Sequence, residues 1–325
     1  LIHKITRKLI RVLVYQEEEG KLVEVERKLA NMLGWAWIYL GEHGLSSSRL
    51  DAELILGHLL GLDRMGIYLN PSVSLAKDQA AAFVDLIHRR AAHLPAQYII
   101  GTQEFMSLKF KVNRDVFIPR PETEILVEAV IEKLQGLGYR VQGTGRNKML
   151  APVIIIDLGT GCGNIAIALA RAMANSFIYA CDISGQALDV ARANGRIHRV
   201  NDRVFFLGGD LSEPLNGYCL EGRVDVVVSN PPYVRTRDIC LLPEEVKNFE
   251  PHLALDGGIE GLDFHLKIVS QAPKYLKPGG RIALELGAGQ ADRVKEIIKN
   301  AGVFNEPEII MDYSGIERVI VASRK

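Results

Sequence analysis

Between residues 153 and 322, seven short runs rich in Val, Ile and Phe alternate with stretches of helical periodicity. The runs lie at 153–158, 177–182, 204–208, 224–229, 281–286, 308–311 and 318–322, with helices expected near 165–173, 185–197, 262–275 and 291–301. This alternation is the strongest constraint on the fold. Strands joined through helices pair in parallel, and a parallel sheet has to be covered on both faces. The pattern therefore predicts an α/β domain over 121–325. The last two runs are separated by a short stretch containing Tyr313-Ser314-Gly315, which leaves room for a tight turn and none for a helix. That pair is expected to be antiparallel, at the end of the sheet.

Upstream the periodicity differs. Over 25–96 the chain reads as a small all-α domain. Ser48 and Asp51 resemble a capping box before Leu50, Leu54, Ile55, Leu59 and Leu60, with Gly61 and Gly66 punctuating the end. A second helical stretch over 75–93 sets Phe83, Leu86 and Ile87 on one stripe. Over 97–120 the period changes to two, with Phe105, Leu108, Phe110 and Val112 interleaved with polar residues, so a β-hairpin linker is expected. Pro119 and Pro121 then open a helix running to about Leu134. Gly136, Gly138, Gly143 and Gly145 mark 136–151 as a flexible linker. Residues 1–24 stand apart as an N-terminal extension. There Lys4, Arg7, Lys8 and Arg11 with Ile2, Ile5, Leu9 and Val12 at helical spacing suit either an organellar targeting helix lacking the usual serines or a solvated amphipathic helix.

Composition narrows the function. Lys plus Arg equals Asp plus Glu at 39 each, and residues 1–115 hold 15 basic against 13 acidic groups. A general polyanion binder draws its affinity from an excess of cations, which neither part has. Apolar runs fall far short of the ~20 residues of a membrane-spanning helix. Cys162, Cys181, Cys219 and Cys240 form no Cys-x-x-Cys pair, and no His stands at ligand spacing. This argues against a metal site or a disulfide framework and for a reduced, cytoplasmic compartment.

The strand at 153–158 runs into Gly159-Thr160-Gly161-Cys162-Gly163-Asn164 and then a helix. Glycines at such a place let the backbone approach a ligand at a helix N-terminus. A dinucleotide fingerprint would need glycine at 164, where Asn164 stands. The G-x-G-x-G spacing instead matches the loop of S-adenosylmethionine (SAM)-dependent methyltransferases, or it is a tight structural turn. Two acids favour the ligand. Asp182 closes the second strand, where an acceptor can take both ribose hydroxyls, and Asp210 closes the third, where methyltransferases contact the adenine amino group.

The fourth strand delivers Asn230-Pro231-Pro232-Tyr233, the most specific feature of the chain. Pro-Pro can simply terminate a strand. After a buried strand and downstream of such a glycine loop, the tetrad resembles the catalytic motif of methyltransferases acting on planar NH2 groups. An amide or aromatic amine gives its lone pair to the π system and is a poor nucleophile. The Asn230 side-chain oxygen and the Pro231 carbonyl can each accept one N–H and favour the pyramidal form. The prolines stiffen the loop, and Tyr233 can pack on the flat group. In-line methyl transfer then needs mainly positioning, with no strong general base.

Further motifs narrow the substrate. Ser48-Arg49-Leu50-Asp51-Ala52-Glu53, Arg89-Arg90, Tyr98-Ile99-Ile100-Gly101, Glu104-Phe105, Pro119-Arg120-Pro121-Glu122-Thr123-Glu124 and Glu250-Pro251 with Ala254-Leu255 together resemble the release-factor glutamine methyltransferases of the PrmC/HemK type, over about 25–325. That resemblance implies a seven-stranded Rossmann-like SAM methyltransferase domain over 121–325, preceded by a helical substrate-docking domain over 25–96 and a hairpin linker over 97–120. It implies methyl transfer from SAM to the side-chain N5 of the glutamine in the Gly-Gly-Gln loop of peptide chain release factors. By motif, Gly159, Thr160, Gly161 and Gly163 would line the methionine moiety of SAM, Asp182 the ribose, and Asp210 with Leu211 the adenine. Asn230, Pro231, Pro232 and Tyr233 would hold the glutamine amide, Asn230 also bordering SAM. Phe105 matches the family's aromatic beside the methyl group, and Met106 stands where relatives often carry tryptophan. Arg120, Glu122 and Thr123 would shape the cofactor's mouth, or serve as ordinary helix capping. The implied partner is a protein, without direct nucleic acid or membrane contact, and a monomer is expected. Three alternatives stay open: a ribosomal-protein glutamine methyltransferase of similar architecture, a nucleic-acid amine methyltransferase, which should show a basic groove, and a non-catalytic binding module, which should show a broken tetrad.

Overall fold

The computed structural model describes residues 27–139 and 151–325, so the extension at 1–24 and most of the 136–151 linker lie outside the described residues. The chain divides into two compact units, one running to Gly101 and including Glu244–Phe249, the other made of Thr102–Pro243 and Glu250–Lys325. Among the described residues no helix is long and apolar enough to cross a membrane.

In the first unit, helices Leu29–Glu42, Ser48–Leu60, Arg64–Leu69, Lys77–Ala91 and Ala96–Ile100 enclose a core that includes Trp35, Leu40, Ile55, Leu56, Phe83 and Ile87. The expected capping box at Ser48 is not formed. Helix Ser48–Leu60 has no side-chain cap at its N-terminus, and Ser47 instead donates its hydroxyl to Asp51 Oδ2 at 2.7 Å. Asp51 also accepts Arg90 Nε at 2.8 Å, and Arg90 Nη2 reaches Glu245 at 2.5 Å. Arg90 is almost fully buried, a position a guanidinium occupies only when its charge is matched. These two carboxylates match it, and one of them ties the short segment around Glu245 into this unit.

The second unit opens with a hairpin, β1 (Thr102–Phe105) and β2 (Leu108–Lys111), paired antiparallel around Met106-Ser107. Both turn residues have positive φ, 50° and 58°, where such turns ordinarily use Asn or Gly. Glu124 Oε1 accepts the Met106 N–H at 2.6 Å and helps hold the turn. Where a linker was expected over 97–120, Ala96–Ile100 is helical, and Phe105 and Phe110 are buried in the core of the second unit.

The main sheet contains β3 (Val153–Leu158), β4 (Ser176–Asp182), β5 (Val204–Gly208), β6 (Val224–Ser229), β7 (Leu276–Glu285), β8 (Glu308–Met311) and β9 (Glu317–Ser323), in the order β5-β4-β3-β6-β7-β9-β8. Strands β3 to β7 pair in parallel, and β9 runs antiparallel to both β7 and β8. The terminal hairpin is thus present, but its second strand lies between its first and β7. The tight return rests on Asp312, whose N–H donates to Ile316 O at 2.8 Å, and on Gly315 at φ 77°. Strand β7 starts earlier than expected, at Leu276, with a register shift opposite Val224 and Val226.

Alternate residues of each central strand face opposite cores. Ile155, Val226, Val228 and Ala283 pack with helices Glu122–Gly136 and Asn164–Ala172, while Ile156, Val227, Ile282 and Leu284 pack with helices Asp263–Tyr275 and Ala291–Asn300. Both faces are covered, as continuous apolar strands require. Chain connection reverses direction between β3 and β6, and a parallel sheet binds ligands at the carboxyl ends of its strands beside such a switch.

Candidate active site

A cleft of about 320 Å³ lies over the carboxyl ends of β3, β4, β5 and β6. On one side, β3 runs into the glycine turn. Gly159, Gly161 and Gly163 all have positive φ, at 75°, 55° and 84°. A Cβ on Gly159 or Gly161 would meet no protein atom within 4 Å, so the bare backbone there faces the cleft. Gly163 turns the other way. Its Cβ would come within 3.1–3.3 Å of Ile167, Ala191 and Phe206, so it is a packing glycine at the N-cap of helix Asn164–Ala172 and does not line the cleft.

The loop is fastened locally. Gly159 N–H and Thr160 N–H each donate to the Cys181 carbonyl at 2.9 Å. Asp182 accepts Gly161 N–H at 2.7 Å on Oδ2 and Ser184 N–H at 2.9 Å on Oδ1, and both oxygens retain lone pairs for a ligand. Burial raises the Asp182 pKa, and those backbone N–H groups pull it back down. Beneath the loop, Asp157 is fully buried and is pushed up to about 7 by desolvation, even though it accepts the Thr160 hydroxyl at 2.7 Å. Asp210 and Leu211 line the cleft after β5, Leu211 with a strained φ of 46°.

On the other side, Ser229 at the end of β6 donates its hydroxyl to Leu158 O at 2.5 Å, clamping β6 to β3 where both strands meet the cleft. Asn230, Pro231, Pro232 and Tyr233 all line it. Asn230 Nδ2 donates to Thr123 Oγ1 at 3.1 Å, and among the described residues Asn230 Oδ1 accepts no hydrogen bond. Beyond Tyr233 the chain is held by a short parallel bridge, with Val234 N–H donating to Leu255 O and Gly257 N–H to Val234 O. Gly257 is required there because a Cβ would fall 2.7 Å from Tyr233 Cα. Gln290 Nε2 donates to Tyr233 O at 3.0 Å and Gly261 O at 3.1 Å, while its Oε1 accepts Gly287 N–H. The Tyr233 hydroxyl lies 3.5 Å from Glu285 Oε1, and burial raises the pKa of this phenol.

Of the other expected residues, Thr123 lines the cleft, whereas Phe105, Arg120 and Glu122 do not. Phe105 is 1% exposed and packs edge-to-face on Phe110, with centroids 6.1 Å apart, because the hairpin turn directs both rings into the core. Met106 occupies that turn. The aromatics that line the cleft are Phe117, Phe264 and Tyr233. Arg120 sits 4.5 Å over the Phe117 ring and ion-pairs with buried Glu250, which also accepts Ile118 N–H at 3.1 Å. It therefore joins two segments of the cleft wall from behind. Glu122 is exposed in the first turn of its helix. Sequence reasoning missed Phe117, Lys267, Gln290 and Glu285. Only Glu285 carried a usable signal, an acid closing a core strand just as Asp182 does.

Two family models match the sequence, the PrmC N-terminal domain over residues 31–101 and the Methyltransferase small domain over 148–259. A release factor glutamine methyltransferase of Geobacter sulfurreducens is 39% identical over 294 residues, covering 90% of this chain and 95% of its own. One from Moorella thermoacetica is 39% identical over 297 residues, with coverages of 91% and 99%, and one from Bacillus cereus is 34% identical over 290 residues, with 89% and 97%. Among solved structures, a methyltransferase from Pyrococcus furiosus aligns at a TM-score of 0.46 and 17% identity, covering 73% of this chain and 98% of its own.

Proposed function

This chain belongs to the release factor glutamine methyltransferases, and from that premise we propose that it methylates the side-chain nitrogen N5 of the glutamine in the Gly-Gly-Gln loop of peptide chain release factors. The observation that carries this reading is the Asn230 amide. Its Nδ2 is tied to Thr123, which leaves Oδ1 for the cleft beside the Pro231 carbonyl. Two adjacent acceptors suit a planar NH2 group, which has two hydrogens to give.

The opposite side of the cleft fits SAM. Bare backbone at Gly159 and Gly161 lets a ligand lie close, the Asp182 carboxylate can take ribose hydroxyls, and Asp210 with Leu211 can take an adenine edge and face. SAM supplies an electrophilic methyl group on a sulfonium sulfur. The protein's task is then positioning. Asn230 Oδ1 and the Pro231 carbonyl accept the two amide hydrogens, drawing the nitrogen lone pair out of conjugation. Tyr233 packs against the amide plane, held by Gln290 through its backbone carbonyl. Phe117 and Phe264 exclude water from the wall. The methylated nitrogen sheds a proton to solvent, so the site needs no strong base.

The helical unit is proposed to dock the release factor. Cys219 and Cys240 are exposed, a usage that suits the reducing cytoplasm where release factors act. The test is transfer of labelled methyl from SAM by the full chain to a release factor, to its loop Gln→Ala variant, and to DNA. Label in the wild-type factor alone is expected. Equal label in the variant, or label in DNA, would overturn the reading.

A further inference from the structure

Asn194, on helix Gly185–Ile197, is fully buried, and no step above uses it. Its amide joins two segments far apart in sequence. Nδ2 donates to the Cys162 carbonyl of the glycine turn at 2.9 Å and to the Lys111 carbonyl of β2 at 3.1 Å, while Oδ1 accepts the Lys111 N–H at 2.7 Å. Only one orientation of the amide fits, because the two carbonyls can be met only by its NH2 group and the Lys111 N–H only by its oxygen. The next residue fixes how deep this side chain sits. A Cβ on Gly195 would fall 2.5 Å from Asn201 Oδ1 and 2.9 Å from the Phe206 ring, so the helix backbone lies hard against that ring.

The amide grips the turn where its backbone has most freedom. Cys162 stands between Gly161 and Gly163, both at positive φ, and glycine restrains a chain least. The fastenings described above come from the turn itself or from β3 and β4. Gly163 N–H likewise donates within the turn, to Thr160 O at 2.8 Å. Asn194 holds the carbonyl of that same Cys162–Gly163 peptide from outside, so both of its polar groups are fixed.

We propose that Asn194 is a positioning residue for SAM, acting through the Cys162 carbonyl to hold the glycine turn in its binding shape and tying that turn to the hairpin at Lys111. The proposal rests on the reading of this end of the cleft as the SAM site. A ligand lying against Gly159 and Gly161 meets bare backbone, so its affinity depends on where that backbone is held. Without the Asn194 amide the Cys162–Gly163 peptide can turn, and ordering it on binding costs affinity. The coupling also runs outward. A ligand that steadies the Cys162 carbonyl steadies Asn194, and with it the Lys111 N–H, which does not line the cleft. A merely structural Asn194 would fasten the hairpin and do nothing for SAM. His198 supplies the comparison, since its Nε2 lies 3.0 Å from the Lys109 carbonyl and its ring packs 4.9 Å from that of Phe110, gripping the same hairpin.

The experiment uses the full chain and SAM. Amide hydrogen exchange of wild type, with and without saturating SAM, follows the Lys111 N–H. Calorimetry and thermal melts compare wild type with Asn194→Ala and His198→Ala. Asn194→Ala should raise the Kd for SAM roughly 3- to 10-fold, the scale of one lost neutral hydrogen bond. Its kcat toward a release factor at saturating SAM should stay within about threefold of wild type, because the lost bond acts on cofactor binding. Saturating SAM should slow Lys111 exchange in wild type by a factor similar to that loss of affinity, since coupling between two sites is reciprocal. His198→Ala should lower the Tm, as Asn194→Ala does, yet keep the Kd for SAM within about twofold, the scatter of independent sites. Lys111 exchange indifferent to SAM in wild type would overturn the proposal, and that arm decides even if Asn194→Ala fails to fold. An unchanged Kd in Asn194→Ala would also overturn it, as would an equal loss of SAM affinity in His198→Ala, because fastening the hairpin would then explain both. A wild type that binds no SAM would defeat the reading of the cleft together with this proposal. One that binds SAM with these responses and leaves release factors unmodified would defeat the functional reading alone.

Discussion

At the end of the cleft assigned to SAM, one turn supplies nearly everything. Thr160 bonds Asp157 three residues back, Gly161 bonds Asp182 of the neighbouring strand, and the glycines themselves form the surface. At the substrate end, Asn230 depends on Thr123, the loop behind it on Gly257 and Gln290, and Glu285 lies beneath, all from separate segments. Both ends are built over a buried carboxyl, Asp157 beneath one and Glu285 beneath the other, and both carboxyls are pushed up to about 7 by burial. The difference is one of distance along the chain. A ligand held by backbone can be served by a local motif, whereas two acceptors aimed at one nitrogen need bracing from several directions.

If the two ends divide binding from chemistry in this way, substitutions should separate them. The largest effect is expected for Asn230→Ala, which removes one aligned acceptor and should lower kcat by about 100-fold or more while SAM binding holds within a few fold. Rapid-quench turnover beside a binding isotherm measures both, and near-normal turnover would break the comparison. Asp182→Ala should do the reverse. Losing a charged acceptor for a ribose hydroxyl is worth about 1.5–3 kcal/mol, so the Kd for SAM should rise roughly 10- to 100-fold, with kcat at saturating SAM little changed, as calorimetry and steady-state kinetics would show.

The smallest effect concerns stability. Asp157 has its pKa raised from 3.8 to about 7 in the folded protein. Its contribution is therefore fully present below pH 4 and is lost as pH rises toward 7. Asp157→Asn keeps an acceptor for Thr160 and removes that loss. Relative to wild type, its Tm should gain with rising pH between about 4 and 7 and level off above, by about 2–4 °C for each kcal/mol of that loss. A pH-independent difference in melting temperature would show that the buried acid does not carry its charge burden in this way.

The same contrast explains what could be read from sequence. Strands β3, β5, β6 and β8 fall where their apolar runs end, because each run is bounded by turn residues. The glycine turn and the Asn230 tetrad could be picked out as motifs because their residues are contiguous, and both line the cleft. Gly163 was expected at the ligand, but spacing does not reveal which side of a turn a glycine faces, and here a Cβ on it would meet Ile167, Ala191 and Phe206. Phe105 was expected beside the methyl group, and the two-residue turn sets it in the core against Phe110. The membership of Glu244–Phe249 in the first unit depends on the pair Arg90–Glu245, between residues far apart in sequence. Likewise, Thr123 meets Asn230, and Glu285 and Gln290 meet Tyr233, only after the sheet has formed.

The most direct measurement is tandem mass spectrometry of a release factor after incubation with the full chain and SAM. One methyl group on the side-chain nitrogen of the Gly-Gly-Gln glutamine is the expected result. A methyl group on any other residue, or none on the protein under conditions where SAM binds, would contradict it.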